Sequence, residues 1–353
     1  MTGSEAPVAA WLRSARLDGA FPLASAAVGT GREVLVRVDE PRLVEGRLRL
    51  YDLASLTKVM ATAMVALRLV DRGELSLHDT LEGCADVPPA WRSVSIGQLL
   101  THTAGFEAHV MLCDLVPAGD GPLLDRAVAC LLARPPAYVP GTRVVYSCLG
   151  FIVLQYVLER AAGAGLDDLA SELVFAPLEM TSTGFRPTAR GECALHIAAT
   201  EIDPATNRRV HGEVHDENAR FLGGVAGNAG LFSTCDDCAR FAGMLVRRGD
   251  GFLSRELFDE MVSDRTPELD AARGLGVSVA RPGADWAAGT RLGIGAFGHT
   301  GFTGTSLYVS PTLGAYFVLL SNRVYLGRDL EAVPDYRAAY HDAAVAELDG
   351  RRT

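Results

Sequence analysis

Lysine is almost absent from this sequence: of its 33 basic residues only Lys58 is a lysine, and the rest are arginine. An arginine stays protonated at any ordinary pH, whereas a lysine amine can be desolvated, lose its proton and act as a base. The one position that kept lysine in an arginine-rich chain is therefore a candidate for chemistry. Positive charge is also short overall, with 33 basic against 43 acidic residues and a net charge of -10. No basic field is available to hold a phosphate backbone, so nucleic acid is not expected as a partner. No uninterrupted apolar run approaches the roughly 20 residues that cross a bilayer. The opening Met1-Thr-Gly-Ser-Glu-Ala-Pro7 has no positive leader, and Arg13 and Arg16 break the first apolar stretch, so neither a membrane partner nor a secretory signal is expected. Seven cysteines, an odd number, fit a reducing compartment better than a disulfide framework. These features together predict a cytoplasmic protein.

What is present is a long, apolar chain: 353 residues, 48% hydrophobic and 22% charged. Folding should bury roughly three quarters of the surface its unfolded form exposes. Helical spacing runs from Val8 to Leu17, followed by alternating runs at Ser25–Val28 and Glu33–Val38 about Gly29-Thr-Gly31. Leu56 to Val70 is apolar nearly all round and ends at Gly73, as a buried helix with a glycine cap would. Short helices are predicted at Ser95–Thr101, Leu123–Ala133, Leu149–Ala162 and Leu166–Val174, then a polar loop beyond Pro204 and a helix starting near Thr234. Gly274–Ala280, Ser306–Ser310 and Ala315–Ser321 read as strands, and Asp335–Leu348 as a closing amphipathic helix. The expectation is an α/β (α+β) fold in which one antiparallel sheet is built from both termini and flanked by helices. On that reading residues 1–87 and 191–353 form the sheet region and 88–190 an inserted helical region. No repeat or low-complexity linker supports a second independent domain.

Ser55-Leu-Thr-Lys58 puts a hydroxyl and the only lysine three residues apart at the opening of the most apolar helix. A helix N-terminus favours negative charge on the serine oxygen, and burial should push the lysine pKa down towards that of a usable base. Both effects activate a serine nucleophile.

With two further motifs in order, the chain resembles the serine β-lactamase and penicillin-binding-like hydrolases. The likeness is strongest to their class C-like branch, which includes carboxylesterases and acyltransferases. Its S-x-x-K motif is Ser55 to Lys58, preceded by Asp52-Leu-Ala54; Tyr146-Ser147-Cys148 stands after Pro140-Gly141 where that family has Tyr-x-Asn. His299-Thr300-Gly301 matches the Lys/His-Thr-Gly motif and continues as Phe302-Thr303-Gly304. Stretches at Leu99–Gly105, Val214–Ala219, Gly223–Gly227 and Leu320–Arg323 are similar as well, so the resemblance spans roughly residues 20 to 325. It implies a β-lactamase/transpeptidase-like fold with Ser55 as nucleophile and Lys58 and Tyr146 sharing the movement of its proton. It further implies that the backbone N–H groups of Ser55 and Phe302 form the oxyanion hole, and that His299, Thr300 and Gly301 lie on an edge strand against the substrate. Cys148 is the departure. A thiol bonds weakly where an asparagine amide would hold both lysine and substrate, which disfavours peptide or β-lactam recognition more than ester recognition.

The resemblance thus implies a serine enzyme that forms an acyl-Ser55 intermediate from a small-molecule ester or amide. If water is the acceptor the protein is carboxylesterase-like; if an amine or alcohol takes the acyl group, as in secondary metabolism, it is an acyltransferase. The missing leader weighs against a β-lactamase or D-peptidase, and the retained Ser55, Lys58 and Tyr146 weigh against an inactive binding homologue. No metal and no cofactor is expected. His211, His215, Asp216 and Glu217 read as loop hydrogen-bonders, Cys235 to Cys238 as a helix start, His102 as structural, and Arg220 and Arg323 as surface ion-pair formers.

Overall fold

A computed structural model of the chain describes residues 6–44, 48–84, 87–282, 288–328 and 336–352. Its strands, in chain order, are β1 (Ala24–Gly29), β2 (Val34–Glu40), β3 (Tyr51–Asp52), β4 (Gly184–Phe185), β5 (Ile202–Asp203), β6 (Arg208–Arg209), β7 (Leu231–Ser233), β8 (Ser278–Val279), β9 (Phe297–Thr300), β10 (Ser306–Ser310) and β11 (Ala315–Ser321). The main sheet runs β2-β1-β11-β10-β9-β8, and every pairing in it is antiparallel. It therefore joins the two ends of the chain, β1 against β11.

Alternation along these strands divides the protein into layers. Ala24, Ala26, Val28, Phe317 and Leu319 face one core, shared with Val8 and Leu12 of the helix Pro7–Leu17 and with Tyr340, Ala344 and Leu348 of the helix Tyr336–Arg352. The intervening Ala27, Tyr316, Val318 and Leu320 face the second and larger core, which the helices at 64–71, 148–162 and 235–246 complete. Burial on both faces explains why β11 reads as an unbroken apolar run rather than an alternating one. Between 81 and 175 the described elements are helical, and their apolar faces join that second core.

The elements depart from the sequence expectations in informative places. The helix expected over Leu56–Val70 is π-helical from Lys58 to Ala63 and α-helical only over Met64–Asp71, with all six π residues buried. A π turn shifts the register of side chains along one face, and such turns cluster at functional sites. The strand expected over Gly274–Ala280 survives only as Ser278–Val279, because Gly276 takes φ +81° in a tight turn. The loop expected beyond Pro204 contains the β5-β6 hairpin and a short helix, Glu217–Phe221, whose N-cap Asp216 accepts the Ala219 N–H at 2.8 Å. A further helix, Arg255–Val262, was not anticipated. Thr234 caps the helix Cys235–Val246, and the last helix begins by Tyr336; Asp335, its expected first residue, lies outside the described residues. Among the described residues no single helix is long and apolar enough to cross a membrane.

Candidate active site

Ser55 follows a strained turn. Asp52 ends β3, Ala54 takes φ +47°, a left-handed conformation that costs a residue with a Cβ, and the chain then enters the buried helical segment. Thr57 ties the turn down: its hydroxyl donates to Ala54 O at 2.6 Å and accepts the Leu231 N–H of β7 at 3.1 Å. One turn on, Lys58 is fully buried, and its ammonium donates to Ser55 Oγ at 3.1 Å, Asn228 O at 3.0 Å and Cys148 Sγ at 3.5 Å. Tyr146 packs beside it with the ring centroid 5.0 Å from Nζ. The first motif thus meets the second beside Ser55 Oγ.

The lysine differs electrostatically from the expectation. Burial does oppose its charge, but Cys148, Tyr146 and Asp216 outweigh that, and the amine is pushed up to about 12 rather than down. Burial likewise raises the Tyr146 phenol, an effect the neighbouring ammonium partly reverses. The resting site therefore holds a lysine cation and a neutral tyrosine.

β9 carries His299 and Thr300 towards the same point. This strand is not the outermost one, since β8 pairs with it; β8 reaches only Phe297 and Gly298, however, so its far side is open at His299 and Thr300. His299 Nδ1 lies 2.6 Å from Thr300 O. A carbonyl can only accept, so Nδ1 carries the hydrogen and Nε2 is a buried lone pair without a partner. Burial, with Lys58 and Arg273 nearby, pushes His299 down to about 3 and keeps it neutral. Gly301 is required by space: a Cβ there would sit 2.1 Å from Thr305 Oγ1 and 2.4 Å from Leu53 O. Phe302 follows with its ring stacked on His215, centroids 5.5 Å apart.

Ser55, Tyr146, Cys148, His299, Thr300, Gly301 and Phe302 all line one open pocket of about 820 Å³, and Lys58 lies beneath it. Sequence reasoning missed several neighbours. Asn228 holds Lys58 through a backbone carbonyl, which any residue type could supply. Asp216, read from the sequence as a loop hydrogen-bonder, is one: it accepts from Asn228 Nδ2 at 3.2 Å. Arg273 lies over the Tyr146 ring at 5.6 Å and makes no ion pair among the described residues. Of the two arginines read as surface ion-pair formers, Arg220 does bind Asp203, whereas Arg323 is buried at the pocket wall. His215 is buried against Glu201 at 2.7 Å, while His211 bonds backbone carbonyls elsewhere. Among the described residues no group of three or more His, Cys, Asp or Glu is placed to hold a metal. Cys235 and Cys238 are buried free thiols whose pKa burial raises, a setting for inert rather than reactive cysteines.

This arrangement places the chain among the serine hydrolases and acyltransferases built on the β-lactamase/transpeptidase-like fold. The chain belongs to the beta-lactamase family, whose model matches residues 9–342. A relative in Escherichia coli K12 named "Putative D-alanyl-D-alanine carboxypeptidase" is 32% identical over 301 residues, covering 78% of this chain and 69% of that protein. Among solved structures, a β-lactamase of Mycobacterium bovis superposes with a TM-score of 0.65 at 24% identity, covering 95% of this chain and 98% of its own. The hydrolase EstCE1, described as having promiscuous acyltransferase activity, gives 0.74 at 20% identity over 96% and 97%. Simvastatin synthase LovD of Aspergillus terreus, in a mutant form, gives 0.73 at 19% identity over 98% and 96%.

Proposed function

We propose that the protein is a carboxylesterase-like serine enzyme whose Ser55 takes an acyl group from a small-molecule ester or amide and passes it to water. The observation that carries this reading is the contact of the Lys58 ammonium with Ser55 Oγ at 3.1 Å, with Tyr146 beside both in an open pocket. In the form in which Tyr146 has released its proton to solvent, Ser55 Oγ attacks the carbonyl carbon and passes its own proton to the Tyr146 phenolate, which the Lys58 charge stabilises. The carbonyl oxygen, now negative, sits between the N–H groups of Ser55 and Phe302. When the tetrahedral intermediate collapses, the leaving alkoxide or amine takes the proton back, and the cycle repeats with the acceptor. Cys148, His299, Thr300 and Gly301 shape the substrate side. Cys148 gives the substrate no amide to bond, which favours esters over peptides.

Two observations keep other acceptors and donors in view. Structures of EstCE1 and LovD share this fold, and their descriptions name acyl transfer or synthesis, so transfer to an amine or alcohol is the second reading. The relative from Escherichia coli brings a D-alanyl-D-alanine peptide into the substrate panel. The experiment mixes the protein with a p-nitrophenyl acyl ester, with and without an excess of amine or alcohol, and follows p-nitrophenol release and acyl-protein mass against Ser55→Ala. Rapid turnover in water is the result expected. An adduct that persists until an acceptor is added identifies a transferase, and absence of any Ser55-dependent adduct refutes the enzyme assignment.

A further inference from the structure

Three chain segments meet at one buried aspartate, two of them at its carboxylate and the third at its backbone carbonyl. Asp52 is 2% exposed; its Oδ1 accepts the Ala54 N–H at 2.8 Å, its Oδ2 the His215 N–H at 2.7 Å, and its own carbonyl the Thr303 hydroxyl at 2.7 Å. The next carbonyl, Leu53 O, accepts the Thr305 hydroxyl at 3.1 Å. His215 in turn carries the ring on which Phe302 stacks, and Glu201 fixes that imidazole from the other side at 2.7 Å. Asp52 makes no ion pair among the described residues; burial raises its pKa, and its two N–H donors together with the His215 ring act against that cost. An asparagine of the same shape would present an NH₂ group to one of those donors.

We infer that Asp52 and His215 are positioning residues for the oxyanion hole, Asp52 holding the strained Ala54 turn that aims the Ser55 N–H, and His215 holding Phe302. The inference rests on the proposed acyl-Ser55 reading and deepens it. The Asp52 carboxylate links both halves of the hole: the 52–55 segment directly, and Phe302 through the His215 N–H and the His215–Phe302 stack, while the Asp52 backbone carbonyl separately accepts the Thr303 hydroxyl. Neither side chain needs to touch substrate. Donors that stabilise charge only as it develops act on kcat far more than on ground-state binding, and sub-ångström misplacement is enough to weaken them.

The test uses the full chain, with steady-state kcat and KM and the p-nitrophenol burst for Asp52→Asn, His215→Ala, His215→Phe and the Ser55→Ala control, each checked for folding by circular dichroism. A missing oxyanion donor lowers kcat by about 10² to 10³. Donors still present but displaced should therefore cost Asp52→Asn and His215→Ala about 10- to 100-fold in kcat, with KM within about threefold. His215→Phe keeps a ring under Phe302 and should hold kcat within about threefold of the parent, separating the stack from the Glu201 bond. Unchanged kcat in Asp52→Asn and His215→Ala, or a loss confined to KM, overturns the clamp while Ser55 dependence still stands. An adduct that survives Ser55→Ala overturns the underlying reading instead. If Asp52→Asn does not fold, the pair His215→Ala and His215→Phe decides alone: both leave the backbone N–H on the Asp52 carboxylate, only His215→Ala removes the ring under Phe302, and an unchanged kcat in His215→Ala overturns the clamp.

Discussion

Replacing Lys58 by methionine and, separately, by arginine asks whether the single lysine serves as charge, as proton carrier or as filler. Its ammonium lies 3.1 Å from Ser55 Oγ with the side chain fully buried. At that separation two unit charges interact by about 5 kcal/mol for an effective dielectric of 20, an upper bound on what the cation gives a developing alkoxide or phenolate. Methionine keeps the volume and removes the charge, so the burst of p-nitrophenol should slow by about 10³- to 10⁴-fold. Arginine keeps the charge but replaces a compact ammonium with a planar fork, in a space already shared by Ser55 Oγ, Cys148 Sγ and Asn228 O. Its acylation should fall by at least about 10², with KM changed far less. Intact-protein mass after rapid quench measures the acyl adduct directly. Methionine acylating within about tenfold of the parent would refute the electrostatic role, and arginine doing so would refute the requirement for an ammonium at that point.

Two further outcomes follow from protonation states. Because Lys58 and Tyr146 both hold their protons at neutral pH, the acylating form has one proton fewer, and kcat/KM should climb towards about tenfold per pH unit between roughly pH 6 and 9. Tyr146→Phe should lower it by about 10² to 10⁴ and flatten the profile, whereas a parent profile already level at pH 6 would contradict this assignment. Acid should also unfold the protein early. Burial depresses His102, His299 and His341, the last two to about 3, while the unfolded chain protonates near 6.5. Stability is then complete above about pH 6.5 and falls towards 3, each imidazole adding a slope of about 1.4 kcal/mol per pH unit. Urea midpoints measured between pH 7.5 and 4.5 read this slope; His341→Phe, placed among Tyr308, Phe317 and Tyr340, should make it shallower, and an equal slope in parent and variant would contradict it.

The parts of this protein legible from sequence are those where side-chain periodicity or a motif carries the information. β10 and β11 fall where their apolar runs begin and end, and the helix Leu123–Ala133 matches its expected bounds. The convergence of Ser55, Tyr146 and His299 was implied by three motifs in order, not by any local pattern. Illegible were features made of backbone. β3, β4 and β8 have two residues each, too few to show a period, yet β3 delivers Asp52 and β8 leaves the far side of His299 uncovered. The π turn under Lys58 and the carbonyl of Asn228 have no side-chain signature at all.

The lysine shows the same limit in energetic form. Burial was readable from the apolar helix, and burial alone argues for a depressed pKa. What decides the sign is the polar company that tertiary structure brings: a thiol from 148, a phenol from 146 and a carboxylate at 216, each distant in sequence. Cys148 matters twice here. It offers the ammonium only a weak acceptor, so Lys58 depends more heavily on Ser55 Oγ and the Asn228 carbonyl, and it offers an incoming acyl group no amide. On the proposed acyl-Ser55 reading, an enzyme so arranged spends its strong contacts on the nucleophile and its proton, and leaves recognition of the substrate to the pocket's shape and outer residues.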